Sequence, residues 1–489
     1  MSEFLQTPTM SRPNWPATYP AETATVAIIG GGASGLIAAV QLIQRTRRAI
    51  KIVFVEPRAS LGSGVAYSTE FDSHLLNVPA GNMSPLHDDP DHFSRWMRTN
   101  VARNFDRRSF ARRSLYGNYL GETLAEACLL AKQQISLDHY RSRATHVETN
   151  RCGARVWMEN GLRISANRVV LALGNPPQEN PMPAGSGVEA VSAWSRSSFD
   201  GLEPDAPLLL VGAGLTAVDA VLALDERGHR GTIHVVSRHG KWPLAHGAST
   251  APIPSGPPRS ATTARSILRA IRKQAAAAGG GWHAAVDALR PHTNTLWARA
   301  SQSERQRFHR HLRFYWQIHR HRMPQEAATK IHSMRWDGRV LNHSGRIIEA
   351  RIENDSRLRV RVALRGGRDD LCLEVARIIN CTGPSANLRD WPHSLIHDLL
   401  ETGIVRTDSL GQGLLTDNDG ALIGRDGAQS NVVFTLGPMR RGTLLETTAI
   451  PEIREQAASL ARRLLAQINS TPLHHQASDL TESFAAGVD

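Results

Sequence analysis

The chain has 489 residues, 41% hydrophobic and 6% aromatic, an ordinary globular balance with room for two or three domains and substantial cores. Its 57 Lys and Arg against 45 Asp and Glu give a net charge of +12, a field that favours anions without choosing among phosphates, an anionic small molecule and nucleic acid. Cys128, Cys152, Cys372 and Cys381 form neither a CxxC pair nor a zinc spacing, so they read as reduced thiols of a cytoplasmic protein.

Residues 1–23 lack the basic and then apolar regions of a secretory signal and are expected to be a flexible arm. Nowhere does the chain reach the roughly 18 uninterrupted apolar residues of a membrane span, so no membrane contact is expected. From Ala24 the run ATVAII reads as a buried strand. It leads into Gly30-Gly31-Gly32-Ala33-Ser34-Gly35 and then an apolar helix, which is a phosphate cradle. The first glycine permits the turn, the second lets the main chain approach a pyrophosphate, and the third position must be small for helix and strand to pack. Free N–H groups at the helix start face the phosphates. The next strand, IKIVFVE, ends in Glu56, where a carboxylate accepts the ribose hydroxyls of FAD or NAD.

A helix is expected around YGNYLGETLAEACLLAKQ, then short strands, the last of which, VVLALG, stops at Gly174. A second cradle follows, Gly212-Ala213-Gly214-Leu215-Thr216-Ala217, again between an apolar strand and an apolar helix. Its second strand ends in Ser237 and Arg238 rather than a carboxylate. Arg238 reads either as a partner for the 2′-phosphate of NADPH or as a solvated residue at a strand end.

HGASTAPIPSGPPRSATTARS has the composition of a loop or linker. A helical block follows, in which Phe308, Leu312, Trp316 and His319 recur at helical spacing and predict one buried face. The His and Arg run nearby reads as a solvated basic face or as the lining of an anion pocket. His311 and His319 lack the i, i+4 spacing of a zinc helix, and no nucleic-acid-binding signature accompanies the charges, so neither a metal nor nucleic acid is expected. The chain then returns through a meander, the strand EVARIINCTGP, and a final strand, glycine turn and helix.

These elements predict an α/β fold of two nested Rossmann-like dinucleotide-binding domains with a helical insertion. The expected boundaries are 24–185 for the first part of an FAD domain and 186–370 for an NAD(P) domain with its insertion at 241–328. Residues 371–469 are the FAD-domain return, and 470–489 a flexible tail.

The cradles, together with the segments Gly62 to Tyr67, His74 to Ser84, Asn380 to Pro384, Leu436 to Arg454 and the run from His319 to Pro324, resemble a family of FAD/NAD(P)-binding flavoproteins. The resemblance covers nearly everything between Ala24 and Leu465. It implies FAD and NAD(P)H as cofactors and O2-dependent hydroxylation of a small anionic substrate, with urate to 5-hydroxyisourate as the leading expectation. Amino-acid N-hydroxylation and electron transfer without hydroxylation are the alternatives, and a homodimer stays open.

By that resemblance Gly30, Gly32, Ala33, Ser34, Gly35 and Glu56 hold FAD, with Gly437 beside its ribityl chain. Gly212, Gly214, Leu215, Thr216 and Arg238 hold the nicotinamide cofactor. Asn77, Glu446 and Thr447 lie near the isoalloxazine, and Arg322 receives the anionic substrate.

Overall fold

The computed structural model describes residues 23–470 apart from 132–133, 248–261, 278–280, 355–356, 368 and 386. The terminal arm and tail, and most of the linker read at HGASTAPIPSGPPRSATTARS, lie outside the described residues.

The first unit opens with β1 (Ala24–Ile29), α1 (Ala33–Arg45) and β2 (Ile50–Val55). A loop region carries α2 (Gly64–Tyr67) and α3 (His92–Asn100), and α4 (Arg113–Leu130) leads to β3 (Ile135–Tyr140). A three-stranded antiparallel sheet follows, β4 (Ala144–Thr149), β5 (Ala154–Met158) and β6 (Arg163–Ala166), then β7 (Arg168–Leu171). The second unit contains β8 (Val191–Ser192), β9 (Leu208–Val211), α5 (Leu215–Glu226) and β10 (Ile233–Ser237). Five helices interrupt it: α6 (Ala264–Ala277), α7 (Trp282–Leu289), α8 (Thr293–Arg299), α9 (Gln302–His311) and α10 (Arg313–Arg320).

The chain re-enters through α11 (Gln325–Trp336), β11 (Val340–Asn354), β12 (Arg357–Leu364), β13 (Leu371–Val375) and β14 (Arg377–Asn380). It ends with α12 (Ser394–Glu401), β15 (Ala421–Ile423), β16 (Gln429–Thr435) and α13 (Ile450–Ser470).

Among the described residues the large sheets run β15-β16-β7-β1-β2-β3 and β13-β12-β11-β10-β9-β14-β8. Their central strands are parallel and apolar on both sides, as expected when each sheet face is covered. On one face of the first sheet α1, α4 and α13 bury Leu36, Val40, Leu120, Leu460 and Leu464. On the other, the small antiparallel sheet and α12 bury Val147, Val156, Leu395 and Leu399. Because β16 pairs β7 in the first sheet, the end of the chain completes the unit that its beginning started.

Two expectations are refined. β11 is longer than a meander strand: Ile233 of β10 pairs in parallel with its start at Val340, and from Gly345 it pairs antiparallel with β12. The boundary expected at residue 328 falls inside α11, whose Ala327, Ile331 and Met334 join the second unit's core with Val218 and Val221 of α5.

Candidate functional site: two equivalent cradles and a clasped insertion

The two cradles are the same device built twice. Gly30 has φ 103° and Gly212 φ 109°, a region that side-chain-bearing residues rarely adopt. The Gly30 N–H donates to the Val55 carbonyl at 3.0 Å and the Gly212 N–H to that of Val236 at 2.8 Å, each at the end of the neighbouring strand. A Cβ on Gly30 would collide with the Ala172 carbonyl, and one on Gly212 with the Cys381 carbonyl. Those carbonyls follow β7 and β14, the strands on the other side of each cradle. A Cβ on Gly214 would meet nothing within 4 Å and one on Gly32 only the Gly64 Cα at 3.6 Å, and no side chain caps the helices α1 and α5 that they start. Their first N–H groups, including those of Ala33, Ser34, Leu215 and Thr216, are thus suited to phosphate oxygens. This geometry fits a dinucleotide pyrophosphate at each cradle.

Beyond the glycines the sites diverge. Glu56 is buried, and its Oε2 accepts the Gly31 N–H at 2.8 Å while Oε1 accepts that of Arg58 at 3.0 Å, so the carboxylate is locked beside the first turn. At the second site the Ser237 hydroxyl accepts the Gly240 N–H at 3.0 Å, and the Arg238 side chain is exposed, with no hydrogen-bond or carboxylate partner among the described residues.

The turn after β16 closes on the first cradle. Gly437 has φ 70°, and a Cβ there would stand 2.6 Å from Ser34 Oγ at the start of α1. Its own groups are engaged: the N–H donates to Gln456 Oε1 at 3.0 Å, and the carbonyl accepts the Thr447 hydroxyl at 2.7 Å. Gly437 therefore offers close approach, and Thr447 holds the turn that provides it.

Glu446 clasps the insertion to this turn. Its Oε1 accepts Trp316 Nε1 at 2.9 Å, its Oε2 lies 3.3 Å from Arg320 Nη2, and its main chain exchanges hydrogen bonds of 2.8 and 2.9 Å with the Asn294 side chain. Burial raises its carboxyl above the ordinary range, with Arg320 opposing. Trp297 Nε1 adds a 2.7 Å bond to the Gly442 carbonyl.

Asn77 and Arg322 fall on another wall, with His246 between them. His246 Nε2 lies 3.0 Å from the Asn77 carbonyl, and the His246 N–H donates to the Met323 carbonyl. The structure gives Arg322 a different occupation from the one expected. Its Nη1 and Nη2 each lie 3.0 Å from an Asp287 oxygen, Nη2 also donates to the His283 carbonyl, and Nε donates to that of His319. Four of five guanidinium donors are used inside the insertion, so Arg322 fastens α7 to the end of α10.

The helix carrying the stripe Phe308, Leu312, Trp316 and His319 breaks at Leu312 between α9 and α10; all four side chains are half-buried, and Trp316 packs against a small core of Ile271, Ala275, Ala285 and Leu289. The four stripe residues line, with Trp282 and Leu296, a cavity of about 400 Å³ walled mainly by aliphatic and aromatic side chains. Leu445, beside Glu446, closes one side. That size suits a small molecule.

The arrangement is a mixed α/β fold with two Rossmann-type units, the fold of flavoproteins that bind FAD and NAD(P). Residues 27–176 match the family model described as FAD-NAD(P)-binding. Ornithine N-hydroxylase from Kutzneria sp. 744, solved with reduced FAD, NADP+ and L-ornithine, is similar in structure: TM-score 0.63, 16% identity, 91% of this chain and 99% of that one. L-lysine 6-monooxygenase from Pseudomonas syringae aligns with TM-score 0.61 and 15% identity over 91% and 99%. The bacillithiol disulfide reductase of Bacillus cereus aligns with TM-score 0.51 and 14% identity over 91% and 99%. Comparison with curated protein sequences gives no match. At these identities the likeness concerns the fold.

Proposed function

We propose that the chain is an FAD-dependent monooxygenase that uses NAD(P)H and O2 to hydroxylate the nitrogen of a small amino compound. The observation that carries this reading is the pair of equivalent cradles in one frame, with a cavity-bearing insertion clasped through Glu446 to the turn on the first cradle. N-hydroxylating enzymes of ornithine and lysine share the whole fold, which supports the nitrogen as target. Urate, the narrower expectation, has no such support among the neighbours named above. Disulfide reduction has the same fold in another neighbour, but the four cysteines here form no CxxC pair and lie far apart along the chain.

Bound FAD supplies the redox chemistry, taking two electrons from NAD(P)H so that one O2 yields one inserted oxygen atom and one water. The chain's residues bind and orient. Gly30, Gly32, Ala33, Ser34 and Gly35 would cradle the FAD pyrophosphate, Glu56 its ribose, and Gly437 admits it closely. Gly212, Gly214, Leu215 and Thr216 would take the nicotinamide pyrophosphate, with Arg238 beside the adenosine ribose. Trp316, Trp297 and Leu445 line the cavity beside Glu446 with largely apolar surface, which would strengthen electrostatic contacts to a ligand there.

The test is oxygen uptake by purified, FAD-loaded protein with NADPH or NADH, against a panel of amino acids, diamines and urate. The expected result is uptake stimulated by one amino compound with a hydroxylamine accumulating. Loss of the urate absorbance band would restore urate, and uptake indifferent to every addition would favour an electron-transfer flavoprotein.

A further inference from the structure

The insertion encloses an apolar chamber whose walls have little hydrogen-bonding capacity left. The cavity of about 400 Å³ is lined by residues between 262 and 319 and, from outside the insertion, by Leu445 alone. Its depth is set by the buried Ile271 of α6, Val286 and Leu289 of α7 and Trp297 of α8, while Arg272 and Tyr315 are exposed and mark its rim. Polar atoms along the walls are engaged elsewhere. Trp316 Nε1 donates to Glu446 at 2.9 Å and Trp297 Nε1 to the Gly442 carbonyl at 2.7 Å, so both indoles give their N–H groups to protein partners. The Thr293 hydroxyl donates to the Leu289 carbonyl, and the Glu304 carboxylate accepts the Ala264 N–H and Arg307.

His319 is the exception. Its ring lies 5.6 Å from that of Trp282, and its Nδ1 is buried without a hydrogen-bond partner, as in no other lining side chain among the described residues. Burial lowers the imidazole below 6.5, with His283, Arg322 and Lys241 adding to the effect, so the ring is neutral at pH 7. An unpaired buried nitrogen is costly until a partner meets it, and here there is room for one polar group of a ligand.

The cavity also touches the first cradle's closing turn. Leu445 is followed by Glu446 and Thr447, and the Thr447 hydroxyl donates to the carbonyl of Gly437, which lies against Ser34 at the start of α1. We propose that this cavity holds the apolar body of the substrate, and that the amino compound is a monoamine with an extended aromatic or aliphatic body and no carboxylate or second ammonium. The ligand class rests on the cavity; that the ligand is the substrate rests on the hydroxylase reading. At about 30 Å³ for each non-hydrogen atom, the volume holds roughly a dozen of them. A further charge would be buried on these walls without a counter-ion, whereas each methylene gains from leaving water. The chain would thus take a more apolar amine than the ornithine and lysine of its structural neighbours.

Isothermal titration of the full-length, FAD-loaded protein tests this, with n-butylamine, n-hexylamine, n-octylamine and 4-phenylbutylamine against putrescine, L-ornithine and L-aspartate. Affinity should rise about fourfold per added methylene along the alkyl series, 4-phenylbutylamine and its alcohol analogue 4-phenylbutan-1-ol should bind, and the compounds with further charges should not. His319→Leu should weaken the amine and the alcohol about fivefold and leave the factor per methylene unchanged. Val286→Phe and Ala300→Leu, which fill the cavity from α7 and from the end of α8, should each weaken 4-phenylbutylamine about tenfold or more, while melting temperature holds or rises. Where either variant fails to fold, the alkyl series on the unaltered protein decides. Affinity flat in chain length, tighter binding of putrescine or ornithine, or folded, cavity-filled variants that bind as the wild type does would each overturn the site. Chain-length-dependent binding without stimulated oxygen uptake would leave the site standing and remove the hydroxylase reading. Ornithine-stimulated uptake unchanged in the filled variants would do the reverse.

Discussion

Arg113 at the start of α4 and Asp219 within α5 form an ion pair of 2.9 Å between the two nucleotide units, both side chains only 10% exposed. Arg113 Nε also donates to the Leu75 carbonyl at 2.9 Å, and His74 Nε2 lies 3.0 Å from the Asp219 carbonyl. Asp219 belongs to the helix that the second cradle opens, while Leu75 and Arg113 belong to the first unit. The pair therefore helps to fix the angle at which one cradle faces the other, on which transfer between two bound dinucleotides depends.

Breaking this pair from one side strands a charge in a dry interface. Arg113→Ala should destabilise the fold by about 3–5 kcal/mol, whereas replacing both partners with apolar residues, as in Arg113→Met with Asp219→Leu, should recover much of that loss. Urea unfolding of the three variants checks the ranking. Equal losses in the single and double variants would show that the pair acts independently of its charge.

What was legible in the sequence is what a short stretch of chain encodes. Both cradles, Glu56 and Arg238 stand where local spacing puts them, because a strand, turn and helix form one continuous unit. Asn294, Trp316 and Glu446 meet only through tertiary packing; Glu446 lies in a recognised segment and Trp316 in an apolar stripe, but no spacing joins the two, and Asn294 carries no signal. Arg322 shows the opposite failure: a basic residue in a basic run reads as an anion receptor until Asp287, on another helix, is seen to hold it.

Glu56 contacts the first turn through two main-chain N–H groups, and under the proposed function the same carboxylate would receive the FAD ribose. Glu56→Gln keeps size and loses the charge, so hydrogen bonds to a charged acceptor become ordinary ones. FAD retention should fall about tenfold, with NADP+ affinity unchanged. Flavin fluorescence during dilution measures the first and calorimetric titration the second; a parallel loss of both would mean that the substitution damages the shared frame.

Arg238 is exposed at the end of β10, where the neighbouring Ser237 hydroxyl is already committed to Gly240. A guanidinium there distinguishes NADPH from NADH only through the extra phosphate. Arg238→Ala should therefore raise the dissociation constant for NADPH about tenfold and leave that for NADH alone. Rapid-mixing measurements of flavin reduction at varied nicotinamide concentration separate the two, and equal effects would remove Arg238 from phosphate recognition.

His321 makes the stability of the clasped insertion depend on pH. Burial, with Arg320, Arg441, Arg313 and Arg290 adding to it, lowers the imidazole from 6.5 to about 3. The folded state thus binds this proton more weakly than the unfolded chain does. The resulting stability is fully present above pH 6.5 and is lost as pH falls from there toward 3, at about 1.4 kcal/mol per pH unit once the unfolded imidazole is mostly protonated. His309, lowered to about 4 by burial and then Arg313, acts in the same direction over a narrower range. His321→Gln removes one titrating group while keeping a neutral polar side chain. Its unfolding free energy should therefore fall less steeply than the wild type's between pH 6 and 4, by about 1.4 kcal/mol per unit, in urea titrations at matched ionic strength. Parallel pH profiles would mean that His321 is free to protonate in the folded protein, and that the four guanidiniums do not act on it together.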